Sequence, residues 1–285
     1  MNKVYACIDG RSNTTAVIDA ALWSAQRLEL PLEFLHALER HPERAAMADY
    51  SGAIGLGAQD SLLHELSLAD EQQGKLAQEA GRRLLVAARA RAAAAGLTRL
   101  DGRLRHGELV DTVLEMQADA RLFVLGERYH AAGPSKLHLD HHVERVIRSV
   151  ERPVLVATGE RFEAPRRFVI AFDGSPTARK MVQTVVRSPL LTGLPALLAM
   201  AGVESPSARR QLDEARLALV AAGFDAETEL LPGDPEDVLP PLVKAQGAAL
   251  LVMGAYGHSR IRQLIVGSTT TTLLRLSEVP VLILR

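Results

Sequence analysis

Residues 248–259 read Ala-Ala-Leu-Leu-Val-Met-Gly-Ala-Tyr-Gly-His-Ser, and residues 266–269 read Val-Gly-Ser-Thr. The apolar run at 248–253 is typical of a parallel strand that helices cover on both faces. A glycine follows this strand directly, and the later Gly-Ser-Thr opens a segment that we expect to be helical as far as about Ser277. A buried strand, a glycine-containing loop and a helix in this order indicate a doubly wound α/β fold, which binds ligands at the carboxyl ends of its strands.

The two glycine-containing stretches predict a site for phosphate. Gly254 and Gly257 allow backbone N–H groups to approach an anion closely, because no Cβ stands between them. The helix that starts at Gly267 adds unpaired N–H donors and the positive end of a helix dipole, and the hydroxyls of Ser268 and Thr269 can donate to phosphate oxygens. Alternatively, the glycines form a simple turn and the serine caps the helix. The combination after a buried strand favours nucleotide binding.

The strand and its loop have an earlier copy in the chain. Residues 4–10 recur as 168–174, residues 122–126 as 250–254, and residues 152–156 as 279–283, in the same order. The chain is therefore a duplication. Its 285 residues suit two domains of ordinary size, which we place at 1–158 and 166–285.

The first copy is longer than the second. The offset between the copies falls from 164 (Asp9 to Asp173) to 128 (Gly126 to Gly254), a difference of 36 residues. We place the additional residues at roughly 40–74. We expect a glycine-containing excursion there, followed by a helix from about residue 60.

Apolar and β-branched runs predict five strands in each copy, with helical segments between them. The runs lie at 3–8, 32–38, 99–105, 121–126 and 153–157, and their counterparts at 167–172, 195–200, 226–231, 248–253 and 279–284. The predicted fold is α/β: two tandem doubly wound domains, each a five-stranded parallel sheet flanked by helices.

Composition excludes several classes of protein. Hydrophobic residues make up 47% of the chain and charged residues 24%, as in an ordinary globular protein. The formal net charge is -1, so we expect neither a nucleic acid partner, which needs a basic surface, nor a membrane partner. Cys7 is the only cysteine and lies in an apolar run, which favours a buried structural thiol over a reactive one. No signal peptide is evident, and we expect a cytoplasmic protein.

Gly-x2-Gly-x9-Gly-Ser after a strand, together with Asp-Gly-Ser at residues 173–175, resembles the ATP-binding pattern of the universal stress protein family. The resemblance covers both halves. It implies an adenine nucleotide alpha hydrolase-like sheet, a cytoplasmic role in stress survival, and dimers, for which the tandem chain would substitute as an internal pseudo-dimer. It leaves open a further homodimer and an unidentified protein partner.

The resemblance also implies which residues hold the cofactor, ATP or a related adenine nucleotide, with Mg as its companion ion. Asp173 would contact the nucleoside, although it can equally be a turn former before a glycine. The remaining implied binding residues are Met253, Gly254, Gly257, His258, Gly267, Ser268 and Thr269. Neither copy carries a Rossmann Gly-x-Gly-x-x-Gly after its first strand, and the chain has no P-loop.

The first copy lacks these features. Aligned with the second, it has Asp140 at the position of Gly267, His141 and His142 at the next two, and Tyr129 at the position of Gly257. We expect Asp140 to cap the helix from His141 to Ser149, so that an internal carboxylate takes the place of phosphate. The first nucleotide site is predicted to be degenerate.

Two further questions concern histidines. The cluster His130, His138, His141 and His142 invites a metal hypothesis, but ligands so close in sequence seldom close a tetrahedral site, and we expect no tightly bound metal. His258 is the only nearby candidate for a base that activates water. A binding or signalling module is therefore favoured over an enzyme. The alternatives are a weak ATPase or nucleotidyl-transfer enzyme, and a structural module without a working site.

Overall fold

The computed structural model describes residues 2–39, 56–127, 141–247, 249–255 and 268–285. Ten strands are present in this part of the chain: β1 Lys3–Cys7, β2 Leu32–Leu38, β3 Leu100–His106, β4 Ala120–Gly126, β5 Val154–Ala157, β6 Arg167–Ala171, β7 Ala196–Ala201, β8 Ala226–Leu231, β9 Ala249–Gly254 and β10 Val281–Leu284. The helices are α1 Thr14–Leu28, α2 Leu56–Ala94, α3 Leu109–Met116, α4 His141–Ser149, α5 Pro176–Arg187, α6 Pro206–Ala221, α7 Pro235–Ala245 and α8 Ser268–Leu276.

All ten strands form a single sheet in the order β3-β2-β1-β4-β5-β10-β9-β6-β7-β8. Within each half, every neighbouring pair is parallel. The predicted α/β fold with two doubly wound halves is confirmed. The predicted strand positions agree with the observed ones to within two residues, because apolar runs mark strands that are buried on both faces.

The two halves join edge to edge through their last strands. β5 and β10 pair antiparallel, with Leu155 opposite Leu282 and with Val156 and Val154 opposite Val281 and Ile283. Because Leu155 and Leu282 are equivalent positions of the two copies, an approximate two-fold axis passes between them. The halves thus pair as two subunits of a symmetric dimer would, through one self-complementary edge.

Helices cover both faces of the sheet, and each face has one core that crosses the junction. Buried residues of α1, α2, α5 and α6 contribute to one core, and those of α3, α4, α7 and α8 to the other. On the first face, Arg27 of α1 also binds the second half. Its guanidinium donates to the carbonyl oxygens of Leu190, at 2.5 Å, and Thr192, and lies over the ring of Trp23.

The additional segment of the first half differs in part from its predicted structure. The helix begins at Leu56, before the predicted start near residue 60, and continues to Ala94. Gly57, which falls within the predicted glycine-containing excursion, therefore lies in α2; residues 40–55 lie outside the described part. No described helix is both long enough and apolar enough to span a bilayer.

Candidate functional site

A crevice opens at the carboxyl ends of β6, β7 and β9 in the second half. β6 lies between β9 and β7, so this is where the strand order reverses and where open α/β sheets bind their ligands. The first turns of α5, α7 and α8 complete its walls. The space between these walls, which is open to solvent, is about 610 Å³.

Four of the predicted binding residues line this crevice together: Asp173, Met253, Gly254 and Thr269. They come from the ends of two strands and the start of α8. Asp173 and Thr269, the first and the last of them, are more than 80 residues apart in sequence. Ser268 is the first residue of α8, although the orientation of its side chain is outside the description. The predicted residues Gly257, His258 and Gly267 lie outside the described residues.

Asp173 forms the turn that its sequence context predicted. Its Oδ1 accepts a hydrogen bond from the backbone N–H of Ser175 at 3.0 Å. The Ser175 hydroxyl oxygen in turn accepts from the N–H of Ala178 at 3.1 Å and caps α5. The turn interpretation is thus confirmed, and it leaves the exposed carboxyl group at the rim of the crevice. Contact with a nucleoside remains a prediction.

Gly254 keeps the floor of the crevice open. A Cβ at this position would lie 3.5 Å from Thr177 Cγ2, which is an ordinary van der Waals contact. Packing within the described residues therefore does not require glycine at 254. The missing side chain instead leaves room for a close approach to the end of β9.

The electrostatic character of the crevice comes mainly from helix termini. Among its described lining residues, Asp173 alone carries a formal charge. The positive ends of α5, α7 and α8 are directed toward the crevice, since first-turn residues of all three helices line its walls. Thr269 and Thr270 add hydroxyl groups at the start of α8. This arrangement suits an anionic group next to α8.

Sequence reasoning missed several wall residues. Thr177 and Thr270 contribute hydroxyl groups, and Pro235 and Leu239 contribute an apolar surface from α7. Thr177 lies four residues after Asp173, so its place on the first turn of α5 was accessible from the sequence. Pro235 and Leu239 lie in α7, outside the sequence motif. Their position in the wall follows only from the packing of that helix in the structure.

The first half has a crevice at the equivalent position, about 520 Å³ in volume. Its lining differs from that of the second crevice. Glu39, just after β2, accepts a hydrogen bond from the N–H of Leu109 at the start of α3, at 3.2 Å. The same oxygen, Oε1, lies 3.2 Å from Nδ1 of His142 at the start of α4. In the second half, Val203 takes the position of Glu39 and is exposed, and Thr269 takes the position of His142.

An internal carboxylate thus stands between two helix starts in the first crevice. We predicted an internal carboxylate from the sequence but assigned it to Asp140, which lies outside the described residues. Glu39 was missed because the two copies cease to align directly after it. Its role depends on α3 and α4, which are distant from it in sequence.

Two more polar side chains, Asn13 and Arg11, distinguish the first half from the second. The Asn13 amide donates to the carbonyl oxygen of Glu127, and the Asp9 carboxylate lies 3.3 Å from Nε of Arg11. The second half has Thr177 and Ser175 at the positions of Asn13 and Arg11.

A Cβ at Gly126 would lie 2.8 Å from Val17 Cγ2 and closer still to the Asn13 amide. Here the glycine is required by the side chains packed over it, in contrast to Gly254.

Cys7 lines the first crevice and is 8% exposed, as predicted for a structural thiol. Burial raises its pKa to about 12, so the thiol stays protonated near pH 8, where an ordinary thiol with a pKa of about 8.5 is partly ionised. We expect no reaction of the native protein with a disulfide reagent at that pH, and one reacting thiol per chain after denaturation. Rapid modification of the native protein would contradict this assignment.

Metal ligands do not come together in the described parts of the chain, where no group of three or more His, Cys, Asp or Glu side chains is placed to hold an ion. Of the histidine cluster in the sequence, only the side chain of His142 belongs to the described part, and its Nδ1 faces Glu39.

Comparison with known proteins matches the whole chain. A model of the universal stress protein family matches residues 1–158 and 165–285. The universal stress protein Slr1230 of Synechocystis sp. (strain PCC 6803) is 32% identical over 288 residues, which span 100% of both chains.

Two solved structures share the tandem fold. The universal stress protein of Archaeoglobus fulgidus DSM 4304 superposes with a TM-score of 0.66 at 17% identity, over 100% of this chain and 96% of that one. A Pseudomonas aeruginosa PAO1 protein of unknown function gives a TM-score of 0.63 at 15% identity, over 100% and 92%. At this identity the likeness is one of fold.

Proposed function

The chain belongs to the universal stress protein family, and we propose that it binds one adenine nucleotide, ATP, in the crevice of its second half and acts as a nucleotide-dependent signalling module. The observation that carries the proposal is the contrast between two equivalent crevices. In one, the described side chains at the start of α8 carry hydroxyl groups, and Gly254 adds no side chain beside them. In the other, the Glu39 carboxylate stands at that place beside His142.

The orientation of the nucleotide follows from the polarity of the walls. Its phosphates would lie against the first turn of α8, where Thr269 and Thr270 offer hydroxyl groups and the helix dipole favours negative charge. The motif glycines Gly257 and Gly267, with Ser268 and His258, would extend this cradle. The adenosine would lie toward β6 and α7.

That second part of the crevice fits a nucleoside. Phe172, Leu239 and Met253 provide buried apolar surface for the base, and Asp173 provides a carboxylate that can accept from ribose hydroxyl groups. Since Asp173 is the only described carboxylate in the lining, Mg²⁺ would reach the site on the phosphates of ATP and not in a protein cage.

Binding can be tested on the protein as purified. Ligand released by denaturation is identified by mass spectrometry, and the nucleotide-free chain is then titrated with ATP, ADP, AMP and GTP. We expect an adenine nucleotide in the purified protein, and at least tenfold weaker binding of GTP than of ATP. A protein that purifies empty and gives no binding signal with any of the four would contradict the proposal.

A signalling module and an ATPase differ in turnover. With ATP in excess and Mg²⁺ present, phosphate release over several hours should not exceed one equivalent per chain if the site senses occupancy. Sustained release at a constant rate, lost in a variant with a closed crevice, would instead assign hydrolysis to this site.

A further inference from the structure

A second cavity of the C-terminal half lies between α7 and α8, away from the motif residues. Its volume is about 630 Å³. Its apolar wall is formed by Val243, Leu251, Leu273, Leu276 and Val279, and the prolines of α7 contribute a further part. It lies on the same face of the sheet as the core of α3, α4, α7 and α8. Neither the sequence motif nor the proposed nucleotide site uses this space.

The first half fills the same region with aromatic rings. Tyr5 and Phe123 are neighbours in the register of β1 and β4, and their rings stack with centroids 5.6 Å apart. The equivalent neighbours in the second half are Val169 and Leu251. Both replacements are smaller, and Leu251, at the position of Phe123, borders the cavity.

The mouth of the cavity also differs between the halves. In the first half, Nε of Arg152 donates to the carbonyl oxygen of Gln117 at the end of α3, at 2.8 Å. The equivalent of Arg152 in the second half is Val279. There the opening is crossed by Lys244, whose Nζ lies 3.1 and 2.9 Å from the two carboxylate oxygens of Glu278. The side chains of this pair are 67% and 56% exposed, so the pair is held weakly.

The α7 wall is itself incompletely hydrogen-bonded. Pro240 and Pro241 lie inside the helix and have no N–H to donate to the preceding turn. Both border the cavity. The backbone hydrogen bonds that these two residues would donate are therefore missing from this wall.

We propose that this cavity is a binding site for a small amphipathic monocarboxylate. The alkyl or aryl part would lie against the apolar wall, and the carboxylate would replace Glu278 as the partner of Lys244. The apolar wall would bury the chain, and Lys244, whose exposed pair with Glu278 is weak, would hold the charged group near water. The proposal does not depend on nucleotide binding, although Leu273 borders both spaces.

The two members of the ion pair give opposite predictions. In calorimetric titrations of the full chain with decanoate, below its micelle concentration, Lys244→Met should weaken binding about tenfold, in line with the loss of one charge-assisted contact. Glu278→Gln should strengthen it severalfold, because Lys244 no longer has to leave an internal partner. Decanol should respond to neither change. If the pair merely holds α7 against the following turn, both substitutions shift binding in the same direction, which overturns the proposal.

Filling the cavity provides an independent test. Leu251→Phe introduces the residue that the first half has at this position, and should abolish the binding of both decanoate and decanol. Circular dichroism and thermal unfolding establish that the variant is folded; if it is not, the opposite-sign result of the ion-pair variants decides alone. Failure of the wild-type chain to bind decanoate saturably, or equal binding by the folded Leu251→Phe variant, would refute the site.

Discussion

An aspartate in place of Thr269 is expected to abolish ATP binding while leaving the protein folded. Residue 269 lies in the first turn of α8 and lines the crevice of the second half. A carboxylate there would lie close to the phosphates. Two like charges at about 4 Å repel by about 4 kcal/mol at an effective dielectric constant of about 20, which corresponds to a loss of roughly 1,000-fold in affinity.

The stability of the same variant should move in the opposite direction. A carboxylate in the first turn of a helix interacts favourably with the helix dipole, by about 0.3–1 kcal/mol. Thr269→Asp should therefore unfold at a slightly higher temperature than the nucleotide-free parent. Thr269→Asn is the matched control, because it has nearly the same shape without the charge. Equal ATP affinities of the two variants would show that the phosphates lie elsewhere.

Alanine at the two equivalent glycines should have contrasting effects. At Gly126 a Cβ would collide with Val17 and the Asn13 amide, so we expect Gly126→Ala to lower the free energy of unfolding by about 1–3 kcal/mol, the usual cost of overpacking. At Gly254 the nearest atom would be 3.5 Å away, so the stability of Gly254→Ala should stay close to that of the parent. ATP affinity should instead fall at least tenfold in Gly254→Ala, because its methyl group enters the crevice.

Each glycine variant is the control of the other, since both remove the same conformational freedom at the last residue of the fourth strand of a half. Urea unfolding measures the first effect and calorimetry the second. If both variants lost stability and neither changed ATP affinity, the distinction between a packed crevice and an open one would be wrong.

Much of the fold was predictable from the sequence because the local signals agree with it. The strands are marked by apolar runs, and α4 was predicted at its observed bounds, His141–Ser149. The edge-to-edge union of the halves was not predictable. The apolar residues 154–156 and 281–283 predict buried strands whether or not the two halves pair. The local sequence does not show that these two strands pair with each other.

Those residues of the candidate site that lie at strand ends or helix starts could be predicted from the sequence. Asp173, Gly254 and Thr269 were found because each lies at the end of a strand or the start of a helix near a glycine. Glu39 was missed because the contact that defines it, with His142 of α4, joins segments a hundred residues apart. The cavity beside Leu251 was missed for a related reason. The exchange of Phe123 for leucine is visible in the repeat, but its effect depends on the register of the neighbouring strand.

The central claim is that the duplication has left one working nucleotide site in two equivalent crevices. Calorimetric titration of the nucleotide-free chain with ATP tests this most directly, through the number of sites at saturation. We predict one ATP per chain, and none in the Thr269→Asp variant. Saturation at two ATP per chain would show that the first crevice also binds nucleotide, and one ATP still bound by that variant would show that the phosphates do not lie against α8; either result would contradict the account.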